Sequence, residues 1–177
     1  MQPTDRLSPH VTAVEFCAGS VVAKRANKWA ERAPLLTGQA LVEARRVCEV
    51  VEVIRGIVGK PIYLTSGIRP GSGSQHNAGQ AVDLQVWGMT PLALLALIHQ
   101  HRERMPHRLR QVIAETTHAD RSGLSAPMGD GLGGWVHVAI LGASSYATAA
   151  SKPWATHTAS DGGSYPEWRP SNTIFYA

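Results

Sequence analysis

Several things are scarce in this chain, and each scarcity removes a class of explanation. Of 177 residues only two are cysteine, Cys17 and Cys48, and they show no C-x-x-C spacing. That argues against a disulfide framework or a thiolate metal cluster. Both read as small buried hydrophobes, Cys48 on the apolar face of a helix and Cys17 beside Phe16, with a bridge between them allowed but not required. No apolar run approaches the length of a bilayer crossing, so no membrane span is expected. The N-terminus, Met1-Gln2-Pro3-Thr4-Asp5-Arg6, has no basic region followed by an apolar one, so no secretory signal peptide is expected. Charge is sparse too: 17 basic and 13 acidic side chains leave a formal net charge of +4. That mild excess suits approach to an anionic polymer. The basic residues are dispersed, with short clusters at Arg45-Arg46 and Arg102 to Arg110 and no interleaved aromatics to form a stacking platform. Nucleic acid is therefore not an expected partner.

What remains is an apolar content of 44%, enough for one domain with a core. Residues 1 to 36 read as an irregular arm with a short helix around Ala18 to Trp29, broken by Pro34, and Trp29 reads as a packing residue. From Gln39 to Val58, Leu41, Ala44, Val47, Cys48, Val51, Ile54 and Val58 recur at three- and four-residue steps, which predicts an amphipathic helix stopped by Gly59. Pro61 to Thr65 and Ala81 to Val86 read as strands. Thr90 and Pro91 read as N-cap and first helical residue of a second helix running to about Arg104, where Pro106 ends it. Arg110 to Glu115 and Trp135 to Ile140 complete the strands. The expected fold class is α+β: a small mixed, mostly antiparallel sheet with helices packed on one face.

The most informative stretch runs from Leu64 to Asp83, where a β-branched strand passes through a glycine- and serine-rich loop into an alternating strand. His76 and Asp83 are the two residues in it that offer a nitrogen and a carboxylate oxygen to a metal. On a helix, seven residues would place them two turns apart, but Gly79 lets the chain fold back so that both can reach one pocket. A third donor lies far downstream: in Trp135 to Ile140 the only charged or titratable side chain is His137, on the same strand face as Trp135 and Ala139. Singly, these have ordinary readings as a loop histidine, a turn acid and a hydrogen-bonded core histidine. Together, two His and one Asp with a fourth position open match the ligand count of a catalytic zinc site, with one zinc expected.

The ordered set Ser66-Gly67-Ile68-Arg69, Ser74-Gln75-His76, Gly79, Ala81, Asp83 and Trp135-Val136-His137 resembles the zinc peptidases that include D-Ala-D-Ala carboxypeptidases and L-alanyl-D-glutamate endopeptidases, whose fold hedgehog signalling domains share. Leu7-Ser8-Pro9-His10, with Val14-Glu15-Phe16, is similar to the small phage-borne branch, so the resemblance covers roughly residues 7 to 141. It implies a peptidase-like domain over residues 1–141, its core at about 36–141, and a C-terminal extension over 142–177. It implies a zinc metallopeptidase hydrolysing D-amino-acid-containing bonds in the stem peptides of bacterial peptidoglycan. Such a protein would be a phage lysin or a virion-associated wall hydrolase, resident in the host cytoplasm until lysis or carried on the virion with other virion proteins. The alternative is a virion structural module that keeps the fold without catalysis.

The resemblance also assigns roles. Arg69 is similar to the arginine that contacts a substrate carboxylate or the polarised carbonyl, and its planar fork suits either. Ser74 resembles a substrate-contacting hydroxyl, whereas Gln75 reads as structural. Most relatives carry the general base three positions before the last His, where this chain has Gly134. In phage-type relatives the acid can end the preceding strand, which points to Glu115, with Asp130 and Asp120 as runners-up. Thr116 to Gly134, long and glycine-rich, reads as a lid, and His118 within it could swing toward the site. His99, His101 and His107 read as solvated; His10 and His157 read as incidental. The aromatics of the extension, Tyr146, Trp154, Tyr165, Trp168, Phe175 and Tyr176, read either as anchors of a tail wrapping the domain or as a docking segment.

Overall fold

A computed structural model describes residues 1–20, 25–71, 74–115, 134–143 and 173–175. The fold is α+β, and its larger sheet carries the candidate site on one face and the apolar core on the other. Strand β1 (Arg6–Ser8) pairs with β2 (Val11–Thr12) in a small hairpin. Then follow helices α1 (Ala13–Ala18), α2 (Arg25–Arg32) and α3 (Gly38–Val58), strands β3 (Ile62–Ser66) and β4 (Ala81–Val86), and helix α4 (Pro91–Gln100). Strands β5 (Leu109–Glu115), β6 (Trp135–Ile140) and β7 (Thr173–Phe175) close the order. The five-stranded sheet runs β3-β4-β6-β5-β7, and every pairing in it is antiparallel.

The sheet face that meets the helices follows from strand alternation. Val82, Leu84 and Val86 of β4, with Val136, Val138 and Ile140 of β6, are buried in one cluster with Val47, Val51 and Ile54 of α3 and Leu94, Leu95 and Ile98 of α4. Each such aliphatic side chain stabilises the fold by about 1.5–3 kcal/mol. The intervening positions, Asp83 and His137 among them, fall on the opposite face. The C-terminal region returns to the sheet: the backbone of Thr173–Phe175 pairs along the β5 edge, Thr173 opposite Ile113.

The N-terminal arm differs from its expected form. Among the described residues it carries α1 and α2, and α1 lies ahead of the helix expected around Ala18 to Trp29, because Thr12 caps it in a box with Glu15, and Gly19, at φ 82°, stops it. Pro34 sits in a 3-10 turn, Ala33–Leu35, where its fixed φ is compatible with the turn. The second predicted helix stops at Gln100, and Arg102–Arg104 forms a separate 3-10 turn. Trp29 does pack against the core. Cys17 and Cys48 are free and buried. Burial pushes the Cys17 thiol up to about 11 despite the Arg32 guanidinium nearby. Burial and the carboxylates of Glu52, Glu49 and Glu15 hold the Cys48 thiol well above its usual range.

Two histidines expected to be incidental or solvated have partners. His10 Nδ1 lies 2.8 Å from the Glu52 carboxylate, whose other oxygen accepts from Ser8 Oγ at 2.6 Å and from the His10 N–H at 2.9 Å, tying the N-terminal hairpin to α3. His107 bridges Glu49 Oε2, at 2.5 Å, and Arg46 Nη2, at 3.5 Å.

Candidate metal centre

The β3–β4 connection is shaped by two glycines that have no room for a side chain. A Cβ at Gly67 would lie 2.2 Å from the Phe16 carbonyl oxygen of α1. A Cβ at Gly79 would lie 2.3 Å from the Ala40 carbonyl oxygen of α3, and Gly79 has a left-handed φ of 73°. The connection is thereby pressed onto both helices, and turns closed by Gly79 N–H to His76 O and Gln80 N–H to Gln75 O fold it back. His76, only 2% exposed, faces β4 and β6 from this loop.

Antiparallel pairing does the rest, placing Asp83 directly opposite His137. Their exposures are 3% and 6%. Three donor atoms converge: His137 Nδ1 to Asp83 Oδ1 is 2.9 Å, His76 Nε2 to His137 Nδ1 is 3.2 Å, and His76 Nε2 to Asp83 Oδ1 is 3.3 Å. A tetrahedral ion with bonds of about 2.0–2.1 Å separates its ligands by about 3.3–3.4 Å, so the triangle already has nearly the right edges.

The outer hydrogen bonds explain why the triangle calls for a cation. His76 Nδ1 lies 2.6 Å from the Gly67 carbonyl oxygen, which can only accept, so Nδ1 carries the proton. His137 Nε2 lies 3.2 Å from Gln75 Oε1, which likewise accepts. Both neutral rings therefore turn a bare lone pair toward a buried carboxylate. Three acceptors in contact out of water cost several kcal/mol unless a proton or a metal ion sits among them. Without metal, contacts this short among Asp83, His76 and His137 call for a hydrogen-bonding proton between the atoms. Burial pushes the Asp83 carboxyl up, but hydrogen bonds from His137 and His76 and their positive charge outweigh it and hold it down at about 2. A buried His76, Asp83, His137 group of this kind can bind a metal ion. Its N₂O donor set suits first-row divalent ions such as zinc better than magnesium or calcium.

Around the triangle, Arg69 extends over the site, 45% exposed, with Nη2 3.8 Å from Asp83 Oδ2. Ser74 Oγ accepts from the His76 N–H at 3.2 Å, so it caps the ligand-bearing turn. Glu115 pairs with Trp135 on the backbone, two residues along β5 from Ile113, which pairs with His137. By register its position shares the His137 face. Gly134, where an acid was sought, donates no side chain, and its carbonyl accepts from Gln85 Nε2 at 2.9 Å. Asp120, Asp130, His118 and residues 116–133 of the expected lid lie outside the described residues, as do His157 and most of the 142–177 extension.

Gln75, expected to be structural, accepts from His137 Nε2, a bond signalled in the sequence only by an amide directly before a ligand in a tight turn. The Gly67 carbonyl left no side-chain signal at all. Among the described residues, no helix is long and apolar enough to cross a membrane. Comparison with known proteins finds no matching family model, no matching curated protein and no matching solved structure.

Proposed function

We propose that this chain is a zinc-dependent peptidase that hydrolyses D-amino-acid-containing bonds in peptidoglycan stem peptides. The observation that carries a hydrolytic reading is the buried donor triangle beside an arginine, with position 115 on the His137 face of the neighbouring strand by backbone register. The choice of wall peptides as substrate rests on the motif resemblance. His76, Asp83 and His137 would hold the ion, which when bound supplies Lewis acidity and a water of lowered pKa.

The chain's own residues do the remaining work. The Gly67 carbonyl and Gln75 amide keep both imidazoles in the tautomer that leaves the inner nitrogens unprotonated. Arg69, with a half-exposed guanidinium, is available to a substrate carboxylate or to oxyanion charge developing at the scissile carbonyl. Glu115 is the proposed general base, taking a proton from the attacking water and returning it to the leaving amine, because position 134 offers no acid. Release of such a protein at lysis, or its carriage on a virion, would bring it to the wall.

The test is digestion of purified muropeptides by the metal-loaded protein, with mass analysis of products. Glu115→Gln is nearly isosteric, so it should retain the metal and lose about two to four orders of magnitude in rate. If Glu115→Gln cuts normally while Asp130→Asn or Asp120→Asn is inactive, a loop acid is the base. Gly134 in place of the usual acid favours one second reading, a virion module that keeps the site without catalysis. Metal-loaded protein that leaves every muropeptide intact would decide for that module.

A further inference from the structure

One short segment of the chain is strongly basic. Residues 99 to 110 carry four arginines and one glutamate, a net +3 against +4 for the whole chain, together with three histidines. Met105, which packs on the core, and Leu109, 3% exposed, pin this segment, and Arg104, Arg108 and Arg110 are left exposed.

The fold brings the chain's other arginine cluster to the same place. The Leu141 N–H donates to the Arg108 carbonyl at 2.9 Å, and the Leu141 carbonyl accepts from Arg46 Nη1 at 3.4 Å. Arg46 also reaches His107, and Arg45 beside it is exposed. Three acids share the region, but their charge is partly used. Glu43 is buried against Arg46 at 2.6 Å, Glu49 bonds His107, and Glu103 lies against Arg102 at 3.2 Å. Arg102 is also partly spent on the His99 carbonyl at the end of α4, at 3.3 Å. Arg104 and Arg110 have no acidic partner among the described residues.

We propose that this arginine-rich region, with Arg45, Arg104, Arg108 and Arg110 exposed, is a docking site for a phosphodiester-backbone polymer, for which inorganic polyphosphate serves as the base-free probe, and that it acts as a tether separate from the metal centre. Segment 99–110 contains arginine but no lysine, and guanidinium forks match phosphate oxygens in pairs. It also contains no Phe, Tyr or Trp of the kind that builds a base-stacking platform, which favours a base-free phosphodiester chain over nucleic acid. The patch begins where Leu109 pairs with Ile140, three residues along β6 from His137, roughly 10 Å away along the strand. A polymer held there lies near the site without occupying it. Assigning the polymer to the bacterial wall rests on the wall-peptidase proposal; binding to phosphate chains does not.

The experiment measures binding of the full chain to inorganic polyphosphate across a salt series, beside Arg104→Gln/Arg110→Gln. The wild type should bind at low salt with log K falling linearly in log salt by roughly 0.7–0.9 per phosphate engaged. The double variant should bind at least fivefold more weakly with a slope lower by about 1 to 2. Its melting temperature and zinc-dependent shift should be unchanged, which shows that the fold and metal centre are intact. Equal binding by the double variant would overturn the proposal, and so would a wild type that does not bind polyphosphate at low salt. At least tenfold tighter binding to a single-stranded oligonucleotide of equal charge would overturn it in favour of nucleic acid. Sacculi stripped of phosphodiester polymer should retain less protein than untreated sacculi; equal retention would overturn the assignment to a wall polymer. Muropeptide cleavage is scored separately, so failure of the peptidase proposal leaves the polyphosphate result standing.

Discussion

A buried triangle of three acceptors should be stabilised by a divalent cation to a degree that can be worked out in advance. A ligand that binds only the folded chain, at a free concentration a thousandfold above its Kd, stabilises it by about 4 kcal/mol. For a chain of this size each kcal/mol moves the midpoint by roughly 2–4 °C, so zinc should raise the melting temperature by about 8–16 °C. Asp83→Asn keeps the volume of a residue that is 3% exposed but removes the anionic ligand. Even outer-sphere changes cost metal sites about 10–100-fold in affinity, so loss of a charged ligand should cost at least about 100-fold. That is about 2.7 kcal/mol, leaving roughly 1.3 kcal/mol of zinc stabilisation and a shift of about 3–5 °C. The assay is thermal unfolding against buffered free zinc, with Glu103→Gln, an exposed acid outside the triangle, as control. The reasoning is refuted if Asp83→Asn shifts as far as the wild type, or if zinc, cobalt and manganese all leave the wild type unmoved. Without metal the sign with pH is also fixed. The folded Asp83 carboxyl sits at about 2, so its stabilisation is present above the unfolded value of about 3.9 and is lost as the pH falls toward 2.

Three further outcomes are expected. Gln75→Leu removes the acceptor at His137 Nε2 and should weaken zinc binding about 10–100-fold in competition with a chromophoric chelator, with little change in metal-free melting. Glu52→Gln loosens the N-terminal hairpin and should cost about 1–3 kcal/mol by urea unfolding. Burial raises the Glu52 carboxyl, but hydrogen bonds from Ser8 and His10 and the His10 charge hold it below its usual range. Its contribution is therefore present above the unfolded value of about 4.3 and is lost as the pH falls below it, a limb that Glu52→Gln should flatten. Gly79→Ala meets both a left-handed φ and the Ala40 carbonyl at 2.3 Å, so it should cost more than about 2 kcal/mol and abolish tight zinc binding; unchanged unfolding would show that the loop can back away from α3.

The parts of this molecule that could be read from sequence are those in which one periodicity dominates. Helix α3 and strands β4 and β6 each bury a periodic apolar face, and their bounds were predicted to within a residue. The ligand triangle was legible for the same reason, since His76, Asp83 and His137 interrupt otherwise apolar or glycine-rich surroundings. The N-terminal arm was not, because its helices are six and eight residues long, too short for a periodic signal. There the Thr12–Glu15 capping box was the informative feature. Contacts that depend on chain reversal were also hidden. The turn that puts Gln75 on His137, the backbone return of Thr173–Phe175 to the β5 edge and the meeting of two arginine clusters at Leu141 each join residues more than 30 positions apart. No local pattern encodes such pairs; they follow from the sheet order β3-β4-β6-β5-β7, in which β6 lies between β4 and β5. That same order gives the site its character. It sets one ligand on each of two central strands, where backbone hydrogen bonding on both sides holds them rigid, and leaves the third on a loop pressed onto two helices. Metal affinity should therefore be more sensitive to changes at Gly67 and Gly79, which seat the loop, than to comparable changes along the strands.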